Sequence, residues 1–134
     1  EEIFSTCQTI SNHVANLPTT QKLFDYKYFS LMKDNAVFIN TGRGAQVEVS
    51  GLIKALKEQP SRFAVLDVTD PTEPPDDDSE LHKLDNILIT PHIAGSSGNE
   101  VHRMAELMLD AFRAVKAGRV TPTEVSLEML DKMA

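Results

Sequence analysis

The chain has 134 residues, of which 41% are hydrophobic and 25% are charged, as expected for one soluble globular domain. Its formal net charge of −7 provides no basic field for nucleic acid, and its apolar runs are far shorter than the roughly 18 residues that a membrane span requires. Cys7 is the single cysteine, so no internal disulfide can form, and no leader-like segment opens the sequence. Composition therefore predicts a cytoplasmic protein that binds neither nucleic acid nor membranes.

The first part of the chain predicts two strands separated by a short helix. Residues 9–14 alternate loosely and end at a turn-prone segment, which indicates a short strand. Residues 26–32 place aromatic and apolar side chains on one side of a helix-like patch. Residues 36–39 form a continuous apolar run, which is typical of a parallel strand covered on both faces.

The next part predicts a helix and two further buried strands. Ser50 is a candidate N-cap for an amphipathic helix that ends before Pro60. Residues 63–68 and 86–90 are apolar runs of strand length, and residues 69–80 between them form a loop rich in proline and aspartate. These elements continue the alternation of strand and helix.

The last part predicts a long helix and a shorter one. Apolar residues recur every three or four positions over residues 101–115, and Gly118 ends this pattern. A shorter tail helix is expected over residues 124–133. Methionines at helical spacing in these segments are most simply core or interface residues: Met104, Met108, Met129 and Met133.

Alternating helices and apolar strands predict an α/β protein with a parallel sheet. Arg43, Asp67 and His92 all fall just past the ends of predicted strands. Open α/β sheets bind ligands at the carboxyl ends of their strands, so these three residues are the first functional signal.

Three segments resemble the signatures of the D-isomer-specific 2-hydroxyacid dehydrogenases, in the same order and with similar spacing. They are Asn-Thr-Gly-Arg-Gly at 40–44, Leu-Asp-Val at 66–68 leading to Glu73-Pro74, and Thr-Pro-His-Ile-Ala-Gly at 90–95. The resemblance implies the second half of a Rossmann-type doubly wound parallel sheet with a long C-terminal helix. It also implies that residues 1–98 are a partial dinucleotide-binding domain, and that residues 99–134 are helices which in relatives cross to the substrate domain.

The resemblance assigns the catalytic roles of this family to Arg43 and His92. It implies that Arg43 binds the carboxylate of a D-2-hydroxy or 2-keto acid, and a guanidinium suits that task because it is a planar fork of donors with a permanent charge. It implies that His92 exchanges the proton as hydride moves between substrate and nicotinamide. Imidazole can do so in both directions because it titrates near neutral pH.

Glu73 corresponds to the glutamate that accompanies the family's histidine. A carboxylate hydrogen-bonded to His92 would fix its tautomer and favour its protonated form. The segment is one residue longer than the family's usual spacing, so Asp70 and Asp76 are alternatives. Glu73 is preferred because Pro74 follows it.

The cofactor implied is NAD, with NADP not excluded, and no metal is expected, since His82 and His102 lack the spacing of metal ligands. A family proline is often found where this chain has Ala15, which predicts a looser loop there. The resemblance assigns cofactor contacts to Val14, Thr41, Gly42, Arg43, Asp67, His92, Ala94 and Gly95.

The 134 residues contain no Gly-x-Gly-x-x-Gly, the turn that holds the cofactor's pyrophosphate. We therefore expect a fragment of an NAD-dependent oxidoreductase that is inactive by itself. The expected partner is a small 2-hydroxy or 2-keto acid, with a homodimer left open. Two alternatives remain: an NAD-sensing binding protein resembling a corepressor of the same fold, and a half-fold that associates with a partner through exposed apolar surface.

Overall fold

A computed structural model of the protein describes residues 1–121 and 123–133. A four-stranded parallel sheet lies at its centre, with the strands side by side in chain order. The strands are β1 (Thr9–Asn12), β2 (Val37–Asn40), β3 (Phe63–Leu66) and β4 (Ile87–Ile89). The predicted α/β class and parallel sheet are confirmed.

In the part of the chain that the structure describes, four α-helices and four short 3-10 helices precede, connect or follow the strands. The α-helices are α1 (Glu2–Thr6), α2 (Tyr26–Ser30), α3 (Val49–Glu58) and α4 (Asn99–Lys116). The 3-10 helices are Pro18–Thr20, Gly44–Gln46, Glu80–Lys83 and Leu127–Lys132. The predicted tail helix is thus a 3-10 helix, and Pro122 and Ala134 of the C-terminal segment lie outside the described residues.

The core lies between one face of the sheet and helices α2 and α3. Phe38 of β2 is fully buried against Phe29 of α2, with ring centroids 5.0 Å apart at an angle of 77°. Leu52 and Leu56 of α3 belong to the same buried cluster. Each such side chain contributes about 1.5–3 kcal/mol by leaving water, so this face holds the sheet in place.

The opposite face of the sheet is less well covered. Ser11, Ile39, Val65 and Leu88 lie side by side across the four strands. Leu88 is 50% exposed, and Ile39 and Val65 are half-buried. The prediction that these strands are covered on both faces is therefore wrong for β4, whose outward residue meets solvent in this chain.

Helix α3 begins with a different cap from the one that the sequence predicts. The N-cap is Glu48, which accepts a hydrogen bond from the backbone of Gly51 at 2.6 Å, while Ser50 donates its hydroxyl to the same carboxylate at 2.5 Å. A carboxylate at this end also interacts favourably with the helix dipole. The Ser50 hydrogen bond is the main reason why the pKa of Glu48 lies below its ordinary value.

The long helix α4 is confirmed, but its apolar stripe is exposed. None of its 18 residues, all of which the structure describes, is buried. Met104 and Met108 are 52% and 68% exposed, so they are not core residues of this chain. Among the described residues, no helix has the length and apolar character needed to cross a membrane.

Candidate active site

The loops that follow the four strands meet at one edge of the sheet. They comprise residues 13–15 after β1, residues 41–44 after β2, residues 67–74 after β3 and residues 90–95 after β4. Parallel strands in neighbouring positions bring their carboxyl ends together. The fold therefore gathers the residues assigned to catalysis and to the cofactor at a single edge.

Arg43 lies exposed in the turn after β2. Its Nη1 donates to the carbonyl oxygen of Gly42 at 2.8 Å, and it forms no ion pair with any carboxylate of the described residues. Asn40 holds the backbone on both sides, because its Oδ1 accepts from Gly42 N at 3.1 Å and its Nδ2 donates to Arg43 O at 3.1 Å. The result is a cation on a fixed turn that can receive an anionic ligand.

His92 and Glu73 are in direct contact. The Nδ1 atom of His92 lies against Oε1 of Glu73, and the two side chains are 48% and 36% exposed. Glu73, and neither Asp70 nor Asp76, is the carboxylate that the structure places on this ring. A carboxylate on Nδ1 fixes the ring's orientation and leaves Nε2 to exchange a proton with a ligand.

The backbone of His92 has an unusual conformation that Asp67 supports. His92 has a φ of 52°, in the left-handed region that costs a non-glycine residue about 1–2 kcal/mol. Its N–H donates to Asp67 O at 3.1 Å. The Asp67 carboxylate in turn accepts from Ile93 N at 2.8 Å and Ala94 N at 2.9 Å, so it fixes the loop directly after the histidine.

Asp67 is 3% exposed and carries a pKa below its ordinary value. Burial is the largest single influence and acts to raise that pKa, but hydrogen bonds from Thr90, Ala94 and Ile93 together outweigh it. The resemblance assigns Asp67 to a cofactor amide. The structure shows that the same carboxylate already organises the histidine loop.

The other residues assigned to the cofactor lie on both sides of the edge. Val14 is 39% exposed and lines a cavity of about 360 Å³ together with Ala15, Gly42 and Arg43. Thr41 follows β2 directly and is half-buried. Ala94 and Gly95 lie on the opposite side, in the exposed loop after β4, where a Cβ on Gly95 would meet no heavy atom within 4 Å.

Three buried amide side chains beneath this edge were missed by sequence reasoning. Asn12, Asn40 and Gln46 are 2%, 0% and 0% exposed and are hydrogen-bonded to one another. Asn40 was noted only as part of a motif, and no local pattern indicates that residues so far apart in sequence would pair. The signal that could have found them is the presence of amides where apolar strand residues are expected.

The amides also alter the expectation for the loop after β1. The alanine at position 15 predicts a looser loop, but the carbonyl of Ala15 accepts from Gln46 Nε2 at 3.0 Å and from Thr20 Oγ1 at 2.7 Å. Val14 N donates to Asn12 Oδ1 at 3.0 Å. Side-chain hydrogen bonds therefore fix a loop that the sequence leaves unconstrained.

Within residues 1–121 and 123–133, no group of three or more His, Cys, Asp or Glu residues is arranged to hold a metal ion. The chemistry available at the edge is that of an exposed arginine, a histidine paired with a carboxylate, and a cavity of mixed polar and apolar lining. This set can orient a small carboxylate and transfer a proton to a neighbouring oxygen.

Comparisons with known proteins agree with this chemistry. Residues 1–94 match the family model described as the D-isomer specific 2-hydroxyacid dehydrogenase, NAD binding domain. The glyoxylate reductase of Thermococcus litoralis is 38% identical over 130 residues, which are 97% of this chain and 39% of that enzyme.

Two solved structures share the fold. One is a D-isomer specific 2-hydroxyacid dehydrogenase from Xanthobacter autotrophicus Py2 in complex with NADPH and MES, with a TM-score of 0.80 and 27% sequence identity. The matched region covers 93% of this chain and 50% of the Xanthobacter chain. The other is the D-lactate dehydrogenase of Lactobacillus jensenii with NAD+, with a TM-score of 0.78 and 27% sequence identity. The matched region covers 93% of this chain and 41% of the Lactobacillus chain. The chain thus spans half or less of each relative's length. It belongs to the D-isomer specific 2-hydroxyacid dehydrogenase family and comprises part of that family's NAD-binding domain.

Proposed function

We propose that this chain is the catalytic side of the NAD-binding domain in an enzyme that interconverts a D-2-hydroxy acid and its 2-keto acid. The observation that carries the proposal is the contact between His92 and Glu73 on the edge of the sheet that also carries Arg43. The relatives include a glyoxylate reductase and a D-lactate dehydrogenase, so a short-chain 2-keto acid is the proposed substrate class.

In the proposed mechanism, Arg43 binds the substrate carboxylate and directs the carbonyl group towards His92. Arg43 can do so because its charge has no carboxylate partner among the described residues. His92 protonates the carbonyl oxygen during reduction and removes that proton during oxidation. Glu73 holds the ring through Nδ1 and stabilises its charged form, so the proton exchanges at Nε2.

The cavity beside Arg43 fits the nicotinamide end of a dinucleotide. The cavity is open to solvent on the side of Val14, which is 39% exposed, and Gly42 contributes no side chain to its wall. Its other lining residues are His13, Ala15, Arg43 and Lys132. We assign the ring's surroundings to Val14, Thr41 and Gly42 on one side and to Ala94 and Gly95 on the other, with Asp67 as acceptor for the amide. A nicotinamide held by these residues would supply or accept the hydride. NAD is the proposed cofactor and NADP the alternative, since one related structure holds NAD+ and another holds NADPH.

We also propose that residues 1–98 form the partial dinucleotide-binding domain and that residues 99–134 are helices crossing to a substrate domain. The support is that α4 carries a regular apolar stripe yet buries none of its residues against this chain. The proposed partners are small acids in a reducing cytoplasm, with nucleic acid and membranes disfavoured by the net charge of −7 and the absence of long apolar runs. A homodimer stays open.

The test is to assay the full-length protein for reduction of glyoxylate, pyruvate and hydroxypyruvate with NADH and with NADPH. Arg43→Ala should lower kcat/KM by about 10²-fold or more while NADH affinity persists, because the substrate loses its anchor. Lys83→Ala is the matched control, since Lys83 is an exposed cation that precedes β4 and lies towards the opposite edge. Equal turnover of Arg43→Ala and the wild type would refute the proposal.

The same assay tests the partner of His92. Glu73→Gln should lower kcat by about 10²-fold, because a neutral amide no longer stabilises the charged ring. Asp76→Asn should leave kcat unchanged, although Asp76 lies in the same acidic loop. Loss of turnover in Asp76→Asn but not in Glu73→Gln would show that Asp76, and not Glu73, is the carboxylate that supports His92, and it would contradict the proposal.

A further inference from the structure

We propose that Gln46, together with Asn12 and Asn40, is a positioning set that fixes the two loops on either side of the nicotinamide cavity. This inference rests on the proposed function, because it assumes that the cavity beside Arg43 receives the nicotinamide. It assigns a role to three residues that do not touch the proposed ligand themselves.

Gln46 connects the loop after β1 to the turn after β2. Its Nε2 donates to Val14 O at 2.5 Å and to Ala15 O at 3.0 Å, and its Oε1 accepts from Asn12 Nδ2 at 2.5 Å. Gln46 itself lies in the 3-10 helix that starts directly after Arg43. One side chain therefore holds the Val14–Ala15 backbone at a set distance from the arginine turn.

Asn40 and Asn12 complete the connection. Asn40 fixes the turn through Gly42 N and Arg43 O, and its Oδ1 also accepts from Asn12 Nδ2 at 2.9 Å. Asn12 fixes the other loop by accepting from Val14 N at 3.0 Å. The two walls of the cavity are thus joined through a continuous chain of amides rather than through the backbone alone.

Gly42 shows how closely the set lies beneath the cavity. A Cβ atom on Gly42 would be 3.1 Å from both Asn12 Nδ2 and Gln46 Oε1 and 3.4 Å from Asn40 Oδ1. All three amides are at most 2% exposed, and no buried side-chain nitrogen or oxygen among the described residues lacks a hydrogen-bond partner. A fully satisfied buried polar network is rigid, and it specifies one arrangement of the groups that it joins.

Replacement of Gln46 should therefore weaken binding of the nicotinamide end of the cofactor and leave binding of the ADP-ribose end unchanged. Gln46→Met keeps a long side chain but removes the Gln46 donor to the carbonyl of Val14 and one of the hydrogen bonds to the carbonyl of Ala15, which keeps its bond from Thr20 Oγ1. The loop should therefore shift relative to Arg43. We expect the Kd of NADH to rise about tenfold, equivalent to about 1.4 kcal/mol. The Kd of ADP-ribose, which lacks the nicotinamide, should change less than about twofold because the three amides fix the loops beside the cavity assigned to the nicotinamide.

The experiment is calorimetric titration of the full-length protein with NADH and with ADP-ribose. Leu56→Ala is the control, since Leu56 is a buried core residue of α3 outside the network and its loss destabilises the fold generally. A rise in the NADH to ADP-ribose ratio of Kd values in Gln46→Met but not in Leu56→Ala supports the inference. An unchanged ratio in Gln46→Met overturns it.

A measurement on the wild type covers the case in which Gln46→Met does not fold. The side-chain amide signals of Gln46 and the backbone signals of Val14 and Ala15 should shift in NMR spectra with NADH and stay in place with ADP-ribose. Identical spectra with the two ligands overturn the inference together with the placement of the nicotinamide in this cavity, and they leave the proposed reaction standing. If the wild type binds neither ligand, the proposed function fails, and the inference fails with it.

Discussion

Gly44 packs so closely against Thr69 that a Cβ atom on the glycine would lie 2.1 Å from the carbonyl oxygen of Thr69. The same atom would lie 2.8 Å from the backbone nitrogen of Asp70. Backbone therefore meets backbone between the turn that carries Arg43 and the loop that leads to Glu73. This contact sets the spacing between the proposed anchor of the substrate and the carboxylate that holds the histidine.

Gly44→Ala should therefore disturb both fold and site. The obstacle is backbone, which cannot move aside as a flexible side chain would, so we expect the free energy of unfolding to fall by about 1–3 kcal/mol or more. Urea unfolding measures this. Gly95→Ala is the control, because a Cβ there meets nothing within 4 Å, and its effect should stay within about 0.5 kcal/mol. Equal stability of the two variants would show that the contact is not as close as described.

Asp67→Asn should loosen the loop that carries His92. The carboxylate accepts hydrogen bonds from Ile93 N and Ala94 N on different oxygens, whereas an asparagine would turn an amide donor towards one of them. We expect a loss of about 1–3 kcal/mol and faster hydrogen exchange at those two amides. Asp85→Asn, at an exposed carboxylate before β4, should change neither. Unchanged exchange in Asp67→Asn would contradict the supporting role.

The stabilisation by Asp67 should depend on pH in one direction. Its pKa in the folded protein lies below the unfolded value of about 3.9, so the folded state favours the charged form. The contribution is then fully present above the unfolded pKa and is lost as pH falls through the folded pKa. The difference in unfolding free energy between wild type and Asp67→Asn should therefore be constant above about pH 5 and shrink in acid. If this difference in unfolding free energy instead grew as the pH fell, the pKa of Asp67 would be raised by folding and not lowered.

The site residues that follow the strands could be predicted from the sequence because their signals are local. A buried parallel strand appears as an apolar run, and the residues after it fall at the carboxyl end of the sheet, where the structure places Arg43, Asp67 and His92. In the sequence, only the following Pro74 favours Glu73 over its acidic neighbours, and the structure places Glu73 against the ring.

The features that sequence could not predict depend on contacts between distant segments. The pairing of Asn12 with Gln46 joins residues 34 positions apart, and no periodicity marks it. The exposure of Leu88 depends on what else covers the sheet, not on its own strand. Residue type favours Ser50 as the helix cap, whereas the helix starts two residues earlier than a Ser50 cap implies and uses the longer side chain of Glu48.

The apolar stripe of α4 predicts the behaviour of these 134 residues expressed on their own. Leu107, Met108 and Phe112 are 53%, 68% and 64% exposed on this helix. Apolar surface of this extent favours association, so sedimentation velocity should show oligomers that increase with concentration. Met108→Lys combined with Phe112→Lys should restore a monomer, whereas Glu106→Lys, a charge change on the same helix, should not. A monomer for the unaltered chain at all concentrations would contradict this prediction.

Single-turnover oxidation of NADH in the presence of glyoxylate, with the full-length protein, tests the role of His92 most directly. The wild type should oxidise bound NADH in a single phase. His92→Gln should bind NADH with similar affinity and lose about 10²–10⁴-fold in the rate of that phase, because glutamine cannot donate the proton that the product alcohol needs. A His92→Gln variant that oxidises NADH at the wild-type rate would contradict the assignment of this edge of the sheet as the catalytic site.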